Sequence, residues 1–210
     1  MNHFDAIAAH IEQYLAAPAA VWNEDGLDIF VVAPTDERPF LTLITAGLSD
    51  APMHAPKDQW KLAELCFLLP ADWPLNRDEW DESKEWTLLW LKYLATLPHK
   101  TDGWLGYGHT IPNGEPPQPL DDSTEAVSVM LIPPVSLPER FARLRVGDSD
   151  ADIINFWTLV PLLPDELRLK LQAGTPTLLE KMEKAKLSDI LEPGRRSVLA
   201  SRGLKKFLLG

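Results

Sequence analysis

The chain has 210 residues, 45% hydrophobic and 24% charged, with a formal net charge of −11. This size suits one large domain, or one domain with a helical appendage, with a core that needs no staples. A single cysteine excludes an intramolecular disulfide and a cysteine zinc knuckle, and no run approaches the roughly 20 apolar residues that cross a bilayer.

Phe4, Ile7, Ile11 and Leu15 recur at helical spacing, and Pro18 closes that helix. Segments 28–33 and 40–45 read as strands joined by the Asp36, Glu37, Pro39 turn, a hairpin. Segment 62–69 reads as a strand buried on both faces, ended by Pro70, with Cys66 as a small buried hydrophobe. A helix over 83–97 would bury Trp86, Leu89, Trp90, Tyr93, Leu94 and Leu97, and Pro98 would stop it.

Segments 104–111, 126–132 and 153–162 read as further strands, with a short helical stretch over 138–144. The run 112–119 between them is turn chemistry. The last quarter reads as helix throughout, starting at Pro164-Asp165-Glu166, stopping at Gly174 and restarting at Thr175-Pro176. The expected fold is therefore mixed α/β of the α+β kind: a central mixed sheet flanked by helices, with a helical C-terminal extension. Its expected division is 1–163 for the α/β domain and 164–210 for the extension packed on it.

The charge is uneven. From Gly194 onward there are five basic residues and no acid, which leaves −16 on the preceding chain. An acidic body repels nucleic acid and suits a basic protein partner. The tail, Arg195, Arg196, Arg202, Lys205 and Lys206, lacks interleaved aromatics and reads as a solvated or docked helix end. No secretory signal pattern is visible, so the expected location is the cytoplasm, with no membrane association.

Chemistry-bearing residues are sparse. His54, His99 and His109 are scattered without metal-ligand spacing, so no metal and no cofactor are expected. Ser49 and His109 with a carboxylate would compose a nucleophilic set, but no GxSxG elbow supports it. The three glycines of 103–108 lack the lysine of a phosphate loop. Trp73, Trp80 and Trp104 lie in polar loops or at strand ends, where aromatic side chains can anchor a partner.

Five short motifs resemble one family. Thr45-Ala-Gly-Leu-Ser49 with Met53 resembles "T-x-G-[ML]-S … M". Glu64-Leu65 with Leu69-Pro70 and Trp73 resembles "EL-x-x-x-LP-x-x-W". Leu94-Ala95, Pro98-His99 and Gly108-His109-Thr110 resemble "LA-x-x-PH … GHT". Leu159 to Leu167 resembles "L-x-P-L-x-x-x-E-L", and Leu191-Glu192-Pro193 with Arg195 or Arg196 resembles "L-D-P-x-R". Together they identify the chain as similar to the Suppressor of fused family in a compact bacterial form. That resemblance implies a non-enzymatic protein that captures another protein. The animal member grips an extended peptide of a transcription factor, and bacterial members are proposed immunity proteins against toxins.

The expected binding surface combines Trp73, Trp80, Asp72, Asp78, Glu79, His99, Trp104 and His109, with Asp81 and Glu82 beside them. Two other classes remain: a small hydrolase or transferase using His109, and an adaptor without antitoxin activity.

Overall fold

The computed structural model describes residues 2–200. Its frame is one mixed sheet of eight strands: β1 (Ala20–Glu24), β2 (Leu27–Val32), β3 (Phe40–Ala46), β4 (Leu62–Pro70), β5 (Thr110–Pro112), β6 (Ser128–Ile132), β7 (Arg143–Arg145) and β8 (Ile153–Leu162). The spatial order is β1-β2-β3-β4-β8-β6-β5, with β7 paired to the start of β8. Among the described strands, β4 and β8 run parallel and the other strand pairings are antiparallel, while an isolated parallel bridge joins Leu68 to Ile190.

Alternation of side chains along the strands separates two buried layers. On β4, Ala63, Leu65, Phe67 and Leu69 face the layer under helix α2 (Glu82–Thr101), while Leu62, Cys66 and Leu68 face the layer under α1 (Phe4–Tyr14). The unbroken apolar run that suggested two-sided burial therefore has its cause in a helix on each face. Helix α3 (Pro164–Ala185) sets Leu167, Leu178 and Met182 against Met130, Ile132, Val160 and Leu162. Cys66 is fully buried, and burial pushes its thiol well above the ordinary value.

Several sequence expectations need correction. β1 is not among the strands expected from the sequence, because Ala20-Val-Trp-Asn-Glu24 is too short a run to stand out. Its signal was the Asp25-Gly26 pair, whose two positive φ angles (55° and 88°) make the tight turn to β2. Helix α2 runs through Pro98 to Thr101, because proline removes one donor late in the helix and left-handed Asp102 makes the actual stop. Its buried face is Trp86, Leu88, Trp90, Leu91, Leu94 and Ala95, while Leu89 and Tyr93 are exposed.

Segment 104–111 is a loop until Thr110, since the chain turns at Gly108 (φ 74°) and only then joins β6. The 138–144 stretch is a 3₁₀ turn, Glu139–Ala142, that leads into β7. Finally, the chain after Ala185 is not helical up to residue 200. It crosses back over the sheet, where the Leu191 amide donates to the Leu68 carbonyl at 2.8 Å.

The break at Gly174 is present as expected. Its backbone (φ 83°, ψ 164°) lies in a region that is essentially glycine's own. Gly174→Ala is expected to cost about 1–3 kcal/mol of stability, read as a lower urea midpoint. A midpoint equal to the parent's would mean that α3 can straighten at no cost.

Candidate functional site

Two fully buried carboxylates organise the motif residues. Glu64 is the one acid in the apolar strand β4 and points to the α1 face. Thr45 Oγ1 donates to it at 2.5 Å, the Gly47 amide at 3.0 Å, and the Ser49 amide and hydroxyl at 2.9 and 2.7 Å. These donors hold the turn after β3 against β4. Burial outweighs all four of them and raises the Glu64 carboxyl to about 7.

Ser49 is thereby a structural donor. Among the described residues, the imidazole beside its hydroxyl is that of His3, whose Nδ1 is 3.3 Å away, and not that of His109. His109 instead faces the Trp104 carbonyl at 3.2 Å through Nδ1, and burial lowers its pKa. The Ser49–His109 pairing on which a hydrolase would depend is not formed. Among the described residues, no three His, Cys, Asp or Glu side chains converge as a metal would require.

The second carboxylate, Glu166, opens α3. It receives Arg195 on both oxygens at 2.6 and 2.5 Å, the Leu163 amide at 3.0 Å and the Val198 amide at 2.9 Å. Arg195 also donates to the Pro161 carbonyl at 2.9 Å. Asp189, likewise buried, accepts the Ser136 amide at 3.1 Å. These contacts tie down segment 186–200. Arg195, read from the sequence as part of a solvated or docked helix end, is a half-buried clasp, and Arg196 is exposed; Arg202, Lys205 and Lys206 lie outside the described residues.

The strapped segment forms one wall of a groove of about 1400 Å³. The turn after β4, the start of α2 and loop 119–127 form the others. Its depth is apolar, with Trp86, Val127, Val160 and Leu191. Asp72, Asp122, Glu125 and Glu192 stand exposed along it. Among the described residues, no ion pair or hydrogen bond engages those four carboxylates. Of the basic groups present, Lys84 is engaged by Asp81 and lies over the Trp73 ring, Arg195 is engaged by Glu166, and Arg196 is exposed on the same lining.

The expected surface residues fall in different places. Asp72 and Trp73 border the groove. Asp78 and Trp80 line a separate shallow cleft with Trp22, Glu24, Arg77 and Glu85. Glu79, Asp81 and Glu82 are exposed beside them. Trp73 and Trp80 are only 8% and 9% exposed and meet edge to face at 6.1 Å, so their rings are spent mainly on the core. His99 faces the Leu48 carbonyl at 3.3 Å from the end of α2. Trp104 stacks on Trp60 with centroids 5.3 Å apart and packs against His109 at 4.2 Å, away from the groove lining. Sequence reasoning missed the 119–127 wall. The signal available was Asp121, Asp122 and Glu125 beside apolar Ala126-Val127.

The model of the family described as Suppressor of fused protein (SUFU) matches residues 23–196. The chain belongs to the Suppressor of fused family. The matched span starts in β1 and ends beside the Arg195 clasp, so it takes in both carboxylate hubs. A solved Suppressor of fused homologue from Neisseria gonorrhoeae shares the fold with a TM-score of 0.64 at 15% identity, covering 93% of this chain and 96% of that one. The structure titled the Sufu-Fu complex gives 0.62 at 15% identity, over 94% of this chain and 92% of that one. Drosophila Suppressor of Fused gives 0.53 at 13% identity, with 87% of this chain against 46% of that one. A comparison with curated proteins gives no match. The Suppressor of fused family is one of regulatory binding proteins.

Proposed function

We propose that this chain is a non-enzymatic binding protein that masks a basic segment of another protein in the acidic-rimmed groove. The observation that carries this reading is the groove: an apolar depth under four exposed carboxylates, against one exposed cation, Arg196, whose guanidinium no ion pair or hydrogen bond engages among the described residues. At about 1400 Å³ it exceeds the roughly 300–1,000 Å³ of small-molecule sites and suits a peptide segment. The Sufu–Fu complex supports protein capture as the family's mode of action. A bacterial homologue with the same fold supports a bacterial setting, in which the masked partner is a toxin domain and the chain its cytoplasmic immunity protein. An adaptor role would use the same groove with a partner that is not a toxin.

Charge at the rim acts chiefly on encounter, because exposed charges steer diffusion and are screened over about 8 Å at physiological ionic strength. Association with the partner recovered by pull-down and mass spectrometry from the native host is expected to slow as salt rises, with dissociation changing less. Amide replacements in two sets separate the surfaces: Asp72, Asp122, Glu125 and Glu192 at the groove, and Asp78, Glu79, Asp81 and Glu82 on the loop before α2. The groove set is expected to slow association about tenfold at low salt. Indifference to both salt and the groove set would end this reading, and sensitivity to the loop set alone would move the site to the cleft beside Trp80.

A further inference from the structure

Helix α2 carries a stripe on its outer face. Glu82, Leu89, Tyr93, Thr96 and Lys100 recur at helical spacing and are all exposed. Leu89 is 56% and Tyr93 47% exposed. Of the large apolar side chains exposed among the described residues, these two share one helix face. An acid stands at one end of the stripe and a base at the other. Among the described residues, no ion pair or hydrogen bond engages the side chain of Glu82 or Lys100. The charges beside the stripe are engaged: Glu85 by Arg77, and Lys92 by Glu24 and Asp25. Beyond its end, His99 faces the Leu48 carbonyl and Asp102 faces His54. The stripe is also symmetric about the level of Leu91. Leu89 and Tyr93 lie two positions to either side of it, and Glu82 and Lys100 nine positions to either side.

We propose that the outer face of α2 is a seam between two copies of this chain, packed antiparallel about a two-fold axis at the level of Leu91. In that register Leu89 of each copy meets Tyr93 of the other, and Glu82 meets Lys100 at both ends. A two-fold contact requires such a face, because residue i meets j while j meets i. An acid near a helix start and a base near its end also suit the helix dipole, so the order of charge alone names no partner. What names a second copy is the apolar pair centred inside the charged pair, since one antiparallel register satisfies both. That register also sets opposite dipole ends side by side. The seam is one helix per copy, a small interface, so the dimer is reversible. It goes beyond the reading of the groove and does not depend on it.

Sedimentation equilibrium of the full chain is expected to show reversible growth toward twice the chain mass at concentrations up to about 1 mM. Leu89→Ser is expected to abolish that growth and to leave the urea midpoint unchanged, since the side chain is exposed. Glu82→Lys and Lys100→Glu are each expected to weaken association about tenfold, because both end pairs of the dimer turn from attraction to repulsion. Mixed in equal amounts, the two variants are expected to recover the parent's association, since a mixed dimer has opposite charges at both ends. This mixing arm decides independently of how well Leu89→Ser folds. General repulsion between two acidic bodies makes a different prediction, because the chain carries −11 and Glu82→Lys would ease it. Tighter association of Glu82→Lys than of the parent therefore overturns the seam. So does a monomer throughout the concentration range, a dimer indifferent to Leu89→Ser, or a mixture that associates no better than its components.

Discussion

Arg195→Ala is expected to cost about 3–5 kcal/mol, because it leaves Glu166 charged, fully buried and without its bidentate partner. The loss should be local as well as global. Arg195 also holds the Pro161 carbonyl, and Glu166 holds the Val198 amide, so segment 186–200 loses its clasp on α3 and β8. Urea denaturation reads the first effect, and amide exchange at Leu191 and Val198 reads the second. Replacing both partners, Glu166→Leu with Arg195→Met, is expected to cost less than the single alanine, since no buried charge remains. A double variant worse than Arg195→Ala would show that the pair contributes attraction beyond satisfying itself. Loss of partner binding in Arg195→Ala, at a temperature where the sheet is intact, would further show that the strap is a wall the groove needs.

At pH 8, Glu64→Gln is expected to be more stable than the parent, and at pH 4.5 to match it. The reason lies in which protonation state the cage accepts. Three donors meet Oε1, and Thr45 Oγ1 lies 2.5 Å from Oε2. A protonated Oε2 can donate to Thr45 in turn, since either hydroxyl can supply the proton of that hydrogen bond. Glutamine reproduces this pattern with its amide. The folded-state pKa of about 7 lies above the ordinary 4.5. The stabilisation is therefore fully present below about 4.5 and is lost as pH rises through about 7. Across that window the parent should lose on the order of 3 kcal/mol relative to the glutamine variant.

His10, whose pKa burial lowers, works in the opposite sense and loses stability as pH falls below 6.5. It is common to both chains and cancels in the difference. Glu64→Leu strands four donors, at about 1–3 kcal/mol for each group left unsatisfied, and should be the most damaging of the three. A parent that stays ahead of Glu64→Gln at pH 8 would show that the carboxylate form is the one the fold holds.

These two residues show where sequence reading succeeds and where it stops. Strand β4 was legible because two-sided burial writes an apolar run with no period. Glu64 was legible as part of a motif, but its role was not, since a charged residue reads as solvent-facing unless its partners are known. Those partners, Thr45, Gly47 and Ser49, come from another strand's end. Glu166 and Arg195 are 29 positions apart and meet only because the chain doubles back after α3.

The errors at Trp73 and Trp80 have the mirror-image cause. Their neighbours are polar, so the loop reads as exposed, yet the rings turn under it and pack edge to face. Leu89 and Tyr93 were placed inward because they fit a helical stripe. The sheet instead meets the stripe one position round, at Leu88 and Leu91. The groove was the least legible feature, because no single segment makes it.

The position of β8 bears on how the molecule comes to be made. It is the last strand in sequence and lies between β4 and β6 in the interior of the sheet. Ile153 follows Pro70 by 83 positions. At a synthesis rate of about 5–20 residues per second, the open side of β4 waits about 4–17 s for its neighbour. During that interval a nine-residue, almost wholly apolar strand offers unpaired amides and carbonyls to any passing chain. Such late, long-range closure is also intrinsically slow. A ribosome stalled before Ile153 thus leaves a product that is adhesive by construction, and the nascent chain is most in need of shielding while β4 lacks β8.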